Sequence, residues 1–514
     1  MNRIWIIGLS VLMLLACKPK ERTKIVYKDR PDNPPGEGNP GDGGNGSADG
    51  GNGSADGGGE TNPVVSTRHA CPWAVDKQLR DSEIDYSCYS LSVPADYEDP
   101  DGKRIAVEAL LISGSGGTPL VVEQGGPGGS SMSLAARYWK ELTDAGQTNL
   151  PDLVAVEQRG TEYTDHFLQC EVDYTLMDCI ERNAHRVDFI TTANIARDNF
   201  HGSLALTGKA PDFFGVSYGT AVGQHMGRLF GDRMTHIVLD SSVDLGRDWN
   251  AGEEAAREAL QYLSQVCGPA GICESNPEEP DLVGKAEQVM EKFPEQGYPV
   301  GDTGKVFHAT NFQQFVFQAM YSVSLAETNV TVINLFYGLV VTGTMQAEAL
   351  TDLMDSLLVS GMSTPQPKPV QYFRLYCSEF SDRQEPTNGQ PDYCAPFPES
   401  GLSVGDLTFD TPTLILGGRL DPVTPPAWGK KIEEQLPQAS MLIADNASHG
   451  VFTNEPCMMA QVLQFLRNEL NAFDPGCGKD MSLLKKPEEE TEGANLVQAG
   501  PAIPRWDPVR PRLR

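Results

Sequence analysis

The chain predicts an α/β fold with a mainly parallel central sheet covered by helices on both faces. Three observations carry this. Short, nearly all-apolar runs recur along the chain, turn residues bound them, and helix-like stretches separate them. Such runs read as strands buried on both sides, and their alternation with helices reads as βαβ units. In chain order, Tyr86 to Val93 and Ile105 to Ile112 come first. Pro119 to Glu123 and Leu153 to Glu157 are short and Val-rich. Phe213 to Val216, Ile237 to Asp240, Thr413 to Leu416 and Met441 to Ala444 follow. A long helical, Cys-containing segment, 245–400, interrupts the series, with amphipathic stretches at Glu253 to Val266 and Ala347 to Leu358. It follows the sixth strand, counting Tyr86 to Val93 as the first. It is expected to form a cap above the carboxyl ends of the strands, where such sheets bind ligands.

Composition narrows the partners. The 514 residues hold 40 Lys plus Arg against 70 Asp plus Glu, a net charge of -30. Phosphate backbones are neutralised by basic patches, so this balance argues against nucleic-acid binding. The one stretch that reads as apolar enough to meet a membrane lies at the N-terminus. Residues 1–16 begin Met-Asn-Arg, run apolar from Ile4, and end at Ala16 before Cys17. The run is too short to span a bilayer, and its layout is that of a secretory signal. Leu14-Leu15-Ala16-Cys17 resembles the bacterial lipobox, which implies lipidation of Cys17 and anchoring on the exported side of a membrane.

Residues 17–66 read as a flexible tether. Gly41 to Gly59 contains only Gly, Asn, Ser, Asp and Ala, with Gly-Gly-Asn-Gly-Ser-Ala-Asp occurring twice. Coil of this length and type spans about 40 Å. The core is expected over 67–244 and 401–478, on either side of the cap. The tail, 479–514, is charged and Pro-rich and is expected to be mostly disordered.

Cysteine usage agrees with export. Setting Cys17 aside leaves ten: Cys71, Cys88, Cys170, Cys179, Cys267, Cys273, Cys377, Cys394, Cys457 and Cys477. An even number in an exported chain suggests disulfides. Sequential neighbours lie 17, 9, 6, 17 and 20 positions apart. Five local bridges fit, although spacing does not fix the connectivity. The chain has no C-x-x-C and no H-E-x-x-H, which speaks against a zinc site.

Four segments carry chemistry. Gly215-Val216-Ser217-Tyr218-Gly219 is a G-x-S-x-G between an apolar strand and a helix-like stretch. A sharp turn there would expose Ser217 Oγ and aim the Tyr218 amide at a developing oxyanion. Gly401 to Gly405 fits the same pattern but has no strand before it and no helix-like run after it. Gln124-Gly125-Gly126-Pro127-Gly128-Gly129 follows the strand Pro119 to Glu123. Its side-chain-free backbone points to the Gly126 amide as a second oxyanion donor. A phosphate loop is the rival reading, but its Lys-Ser/Thr is missing. Asp421, in Gly417 to Pro425, sits in a loop at a strand end, where an acid can orient an imidazole. His449 follows Met441 to Ala444 and, of eight His, is the one downstream of Asp421. Ser217, Asp421 and His449 run in the chain order nucleophile, acid, base.

These segments resemble the proline iminopeptidase and tripeptidyl aminopeptidase family of serine α/β-hydrolases. The resemblance rests on Gly125 to Gly128, Glu157-Gln158-Arg159-Gly160, Gly215 to Thr220 and Asp421 to Pro425. Cys267 with Cys273, Cys377 before Ser378-Glu379, Cys394 to Pro398 and Cys457 with Cys477 look like the exported branch. Gln124 stands where the iminopeptidases carry His, Glu157 where Asp is usual, and Glu162 where Gly is common. These departures bear on substrate choice.

The resemblance implies an α/β-hydrolase fold and an exported peptidase. Ser217 would form an acyl-enzyme, with His449 as general base and Asp421 orienting it. No metal or organic cofactor is expected. The substrate would be a peptide with a free N-terminus, its α-ammonium met by one of the cap's many carboxylates, which include Glu253, Glu254, Glu258 and Glu379. A carboxylesterase on the same triad is the alternative, and an inactive hydrolase-fold binding protein a third.

Overall fold

The computed structural model describes residues 62–484 with breaks at 81–83, 162, 165–174, 185–186, 247–251, 274–280, 363–368, 380–391, 393, 398–407, 470–472 and 475. The signal, Cys17, Glu162, Cys170 and the second G-x-S-x-G at 401–405 therefore lie outside the described residues, as does the tail beyond 484.

The first elements are strand β1 (Val65–His69), helix α1 (Trp73–Leu79), strands β2 (Tyr86–Pro94), β3 (Arg104–Ile112) and β4 (Leu120–Glu123), helix α2 (Ser131–Asp144) and strand β5 (Leu153–Val156). Helices α3 (Leu176–Asn183) and α4 (Thr192–Thr207), strand β6 (Asp212–Val216), helix α5 (Tyr218–Phe230) and strand β7 (Ile237–Asp240) follow. Helices α6 (Gly252–Ala270) and α7 (Leu282–Lys292), strands β8 (Tyr298–Pro299) and β9 (Val306–Phe307), and helices α8 (Ala309–Ala319), α9 (Ala326–Tyr337), α10 (Thr351–Met362) and α11 (Pro369–Glu379) precede strand β10 (Thr413–Gly418). Helix α12 (Pro426–Gln435), strand β11 (Ala439–Ala444) and helices α13 (Val451–Asn454) and α14 (Pro456–Leu466) complete the order.

Nine strands form one sheet in the order β1-β2-β3-β5-β4-β6-β7-β10-β11. β1, β2 and β3 run antiparallel to their neighbours, and every pairing from β5 to β11 is parallel. This is the α/β-hydrolase fold. Alternate residues of the parallel strands serve two separate cores. Val121, Phe213, Leu239 and Ile415 pack on one face with α4 and α5. Val122, Phe214, Val238 and Leu414 pack on the other with α2 and α14. A period of two with both faces apolar leaves no polar side to the strands, which is why they read as unbroken apolar runs.

Three boundaries differ from the expectation. Val65–His69 adds an edge strand, so the inserted segment follows the seventh strand, not the sixth, and the tether ends before residue 65. The strand is polar and mostly exposed, without the apolar run that marks the others. The tail holds a 3-10 turn at Met481–Leu484, and Leu484 is buried among the inserted helices. The inserted segment also carries the small antiparallel pair β8–β9.

Residues of α6 to α10 share their own apolar core, centred on Leu263, Val289, Phe312, Ile333 and Phe336. α11 does not join it. Val370, Phe373 and Leu375 pack instead with the sheet core. Val323–Thr342 is long and apolar enough, over 20 residues, to pass as a membrane span by length and composition. Sequence alone does not single it out beside the N-terminal run. Val330, Ile333 and Phe336 within it are buried against neighbouring helices, while 33% of the stretch as a whole is buried.

Candidate active site

The chain turns sharply between β6 and α5, and Ser217 sits at φ 57, ψ −124. Two contacts explain the flanking glycines. A Cβ at Gly215 would lie 2.3 Å from Gly219 O, and one at Gly219 would lie 2.5 Å from Glu123 O. Backbone meets backbone there, so no side chain fits. Ser217 is half-buried, and its hydroxyl faces Gly125: a Cβ on that glycine would lie 3.0 Å from Oγ. Tyr218 opens α5, so its amide belongs to the helix's first turn, where N–H groups lack intrahelical acceptors.

The glycine loop after β4 packs on this turn. Its Gly126–Pro127 bond is cis and Gly126 has φ 121. Gln124, the residue where His was expected by resemblance, turns its side chain back so that Oε1 accepts Gly125 N at 2.9 Å. Gly128 N donates to Gln158 Oε1 and Gly129 N to Gly125 O. Among the described residues, no acceptor is recorded for the Gly126 amide, which leaves it as the loop's available donor.

Asp421 lies in the loop after β10 and is buried. Its Oδ1 accepts Val423 N and Thr424 N, both at 2.9 Å, and its Oδ2 accepts Thr424 Oγ1 at 2.7 Å. Pro422 and Pro425 have no N–H to offer, so the motif presents two amides and one hydroxyl to this carboxylate. The fourth partner is His449 Nδ1, 2.8 Å from Oδ2. Burial raises the Asp421 carboxyl, but the imidazole and the Thr424 bonds outweigh it and hold the group below the usual aspartate value. An ionised carboxylate only accepts, so Nδ1 carries the proton and the Nε2 lone pair is left open. Burial lowers the His449 pKa, the charge and bond of Asp421 raise it, and the net shift is upward.

The His449 loop is tied to the serine turn from below. Ser217 N donates to Asp240 O. Asp240 Oδ1 and Oδ2 accept Val451 N and Phe452 N at 2.8 and 2.9 Å, and Ser241 Oγ accepts Gly450 N at 2.8 Å. Burial lifts Asp240 to about 6 against these amide bonds. The structure thus brings Asp421 and His449 into contact and sets the Ser217 turn beside their loop. Among the described residues no hydrogen bond joins Ser217 Oγ to the imidazole. Such bonds are often long in unliganded sites.

Several contributors escaped sequence reading. Asp240 and Ser241 look like the ordinary end of a strand. The Tyr321 ring stands edge-on to His449, with centroids 5.4 Å apart, and Ser448 Oγ donates to Met320 O. The inserted segment therefore touches the histidine loop. Of the acids considered for an α-ammonium, Glu254 and Glu258 are exposed, and nothing is described of the Glu253 side chain. Glu379 is buried, and both its oxygens accept Thr192 N, with Oε2 also taking the Thr192 hydroxyl. Burial raises its pKa despite these bonds. Its carboxylate is committed to the start of α4. Thr192 Oγ1 in turn lies 2.8 Å from Tyr218 OH.

Residues 387–475 match the family model for TAP-like protein. This chain is similar to tripeptidyl aminopeptidases. The tripeptidyl aminopeptidase of Streptomyces lividans is 29% identical over 211 residues, covering 35% of this chain and 38% of the relative. Serine protease Hip1 of Mycobacterium tuberculosis is 26% identical over 219 residues, 37% of this chain and 42% of its own. The chain thus spans about two-fifths of the length of these relatives. The solved structure of proline iminopeptidase from Mycobacterium smegmatis aligns over 74% of this chain and 98% of its own at 15% identity, with a TM-score of 0.37. The resemblance read from the motifs is borne out by the TAP-like match and by the tripeptidyl aminopeptidase and Hip1 relatives.

Four bridges join Cys71–Cys88, Cys267–Cys273, Cys377–Cys394 and Cys457–Cys477. Cys179 is also disulfide-bonded. Among the described residues no His, Cys, Asp and Glu cluster could hold a metal ion.

Proposed function

We propose that this protein is an exported serine peptidase of aminopeptidase type. It would release N-terminal residues or short peptides through an acyl-enzyme on Ser217. The observation that carries this is the short Asp421–His449 bond on the loop tied to the Ser217 turn. The open Nε2 takes the hydroxyl proton as Oγ attacks the scissile carbonyl. Asp421 stabilises the imidazolium, and the Tyr218 and Gly126 amides receive the oxyanion. His449 then gives the proton to the leaving amine, and water repeats the sequence to free the acid. The TAP-like match and the peptidase relatives support peptides as the substrate class.

A fluorophosphonate probe and a tripeptide anilide with a free amine test this. Wild type should be labelled and should turn the anilide over, and Ser217→Ala should do neither. An unlabelled, folded wild type would sink the proposal. One observation favours the carboxylesterase reading: Glu379, the buried acid of the candidate set, is occupied by Thr192. Turnover of a butyrate ester with no cleavage of free-amine peptides would select it.

Export and anchoring rest on the lipobox-like Leu14 to Cys17, the Gly-rich stretch and the disulfides. Cys17→Ser should move the protein from the membrane fraction to the soluble exported fraction. An unchanged distribution would remove the lipid anchor.

A further inference from the structure

Gln158 lies in the loop after β5, fully buried, and the mechanism above gives it no part. Its side-chain hydrogen bonds are all made. Nε2 donates to Glu123 Oε1 at 2.7 Å and to Gln124 O at 2.8 Å. Oε1 accepts Gly128 N at 2.9 Å and Gln371 Nε2 at 3.0 Å. A primary amide has two donor hydrogens and two acceptor lone pairs, so its capacity is used up. The partners form a pattern. Gln124 O and Gly128 N flank Gly125-Gly126-Pro127, and one planar group bridges the two ends of that turn. Glu123 is the last residue of β4, and Gln371 comes from α11, between β7 and β10.

We propose that Gln158 is a positioning residue that sets the direction of the Gly126 amide by clamping the glycine loop at both ends, with Gln371 completing the clamp. This rests on Ser217 as nucleophile and Gly126 as oxyanion donor. Two other bonds act within the loop, Gly125 N to Gln124 Oε1 and Gly129 N to Gly125 O, and neither involves Gly126. Gly125 and Gly126 have no side chains to pack, and Gly126 is in the left-handed region that glycine visits freely. The direction of its N–H is therefore set by bonds at the loop ends. A donor fixed in advance stabilises the transition state without reorganising, and a misaimed one loses that advantage. The loss belongs to the transition state, so it appears in kcat and leaves KM nearly unchanged.

The substitutions discriminate by chemistry. Gln158→Met keeps the length but removes all four bonds. Gln158→Glu keeps the shape but removes the Nε2 donor, so Gln124 O loses its bond and faces a carboxylate oxygen. Gln371→Met removes the outer bond and leaves the grip on Gly128.

The experiment begins with wild type and Ser217→Ala on the tripeptide anilide, then measures kcat, KM and peptide boronic acid affinity for the three variants. The boronate forms a tetrahedral adduct on serine and so reads the oxyanion site without turnover. Both Gln158 variants should lose about 10- to 100-fold in kcat and in boronate affinity, with KM within about 3-fold. Gln371→Met should shift the same two quantities by a smaller factor. Unchanged kcat and boronate affinity in folded Gln158 variants, or a loss confined to KM, would overturn the clamp. If the Gln158 variants do not fold, Gln371→Met decides by the same two readouts. A wild type without turnover ends the assignment of the site and the clamp with it, whereas an active wild type with unaffected variants ends the clamp alone.

Discussion

Asp421 shows how much one buried carboxylate can organise. Four donors converge on it, two of them amides from its own turn, so the charge stays ionised inside the protein and fixes the imidazole tautomer. The upward shift of His449 has a kinetic sign. A general base must be neutral, so kcat/KM should fall as pH drops through the histidine's pKa, and the midpoint of that limb should lie above 6.5. Asp421→Asn removes the charge that raises it. The limb should move to lower pH while kcat drops on the order of 10⁴-fold. A pH–rate profile of both proteins checks this, and an unmoved limb would contradict the assignment of the pair.

At the scale of elements, the serine turn is held by close approach. The carbonyl of Glu123 at the end of β4 sits where a side chain on Gly219 would go. Gly219→Ala should therefore push β4 and α5 apart, costing about 1–3 kcal/mol and displacing the Tyr218 amide. Chemical denaturation together with probe labelling measures both effects. A variant with wild-type stability and labelling rate would show that the turn relaxes freely. Arg159 joins elements in another way. Its guanidinium is fully buried, takes both oxygens of Asp198 on α4, and donates to the carbonyls of Pro94, Ala95 and Phe189. Burial alone would lower its pKa, but Asp198 raises it further. The end of β2, the loop after β5, the segment before α4 and the second turn of α4 thus meet on one side chain. The bidentate geometry needs arginine's planar fork, so lysine is no substitute.

Across the whole molecule, the four described disulfides are local, with separations of 17, 6, 17 and 20. Each staples one region and none ties the inserted helices to the sheet. That connection is made by packing and hydrogen bonds: Leu420 among the inserted helices, Ser448 on Met320, and Glu379 on Thr192. Replacing both Cys457 and Cys477 by serine should cost about 3 kcal/mol, the loop-closure value for a ring of this size. Equilibrium denaturation of the double variant, beside wild type with and without reductant, gives the figure. A change near zero would place the bridge's contribution elsewhere. The histidine loop lies close in sequence to this bridge, so the same variant reports whether its geometry depends on it.

The sequence by itself determined the parallel sheet, the serine turn and the order of the candidate triad. Strands buried on both faces must be apolar throughout, and a turn where backbones touch must be glycine, so both leave a local mark on residue type. Val65–His69 left none, because an edge strand with an exposed polar face looks like a loop. Tertiary structure alone decided that Asp240 and Ser241 hold the histidine loop, that Glu379 is spent on Thr192, that α11 belongs with the sheet core, and that Gln158 grips the glycine turn. Each of these is a polar or apolar contact between segments far apart in the chain. No periodicity or spacing records such a contact, because the partner is chosen only when folding closes the distance.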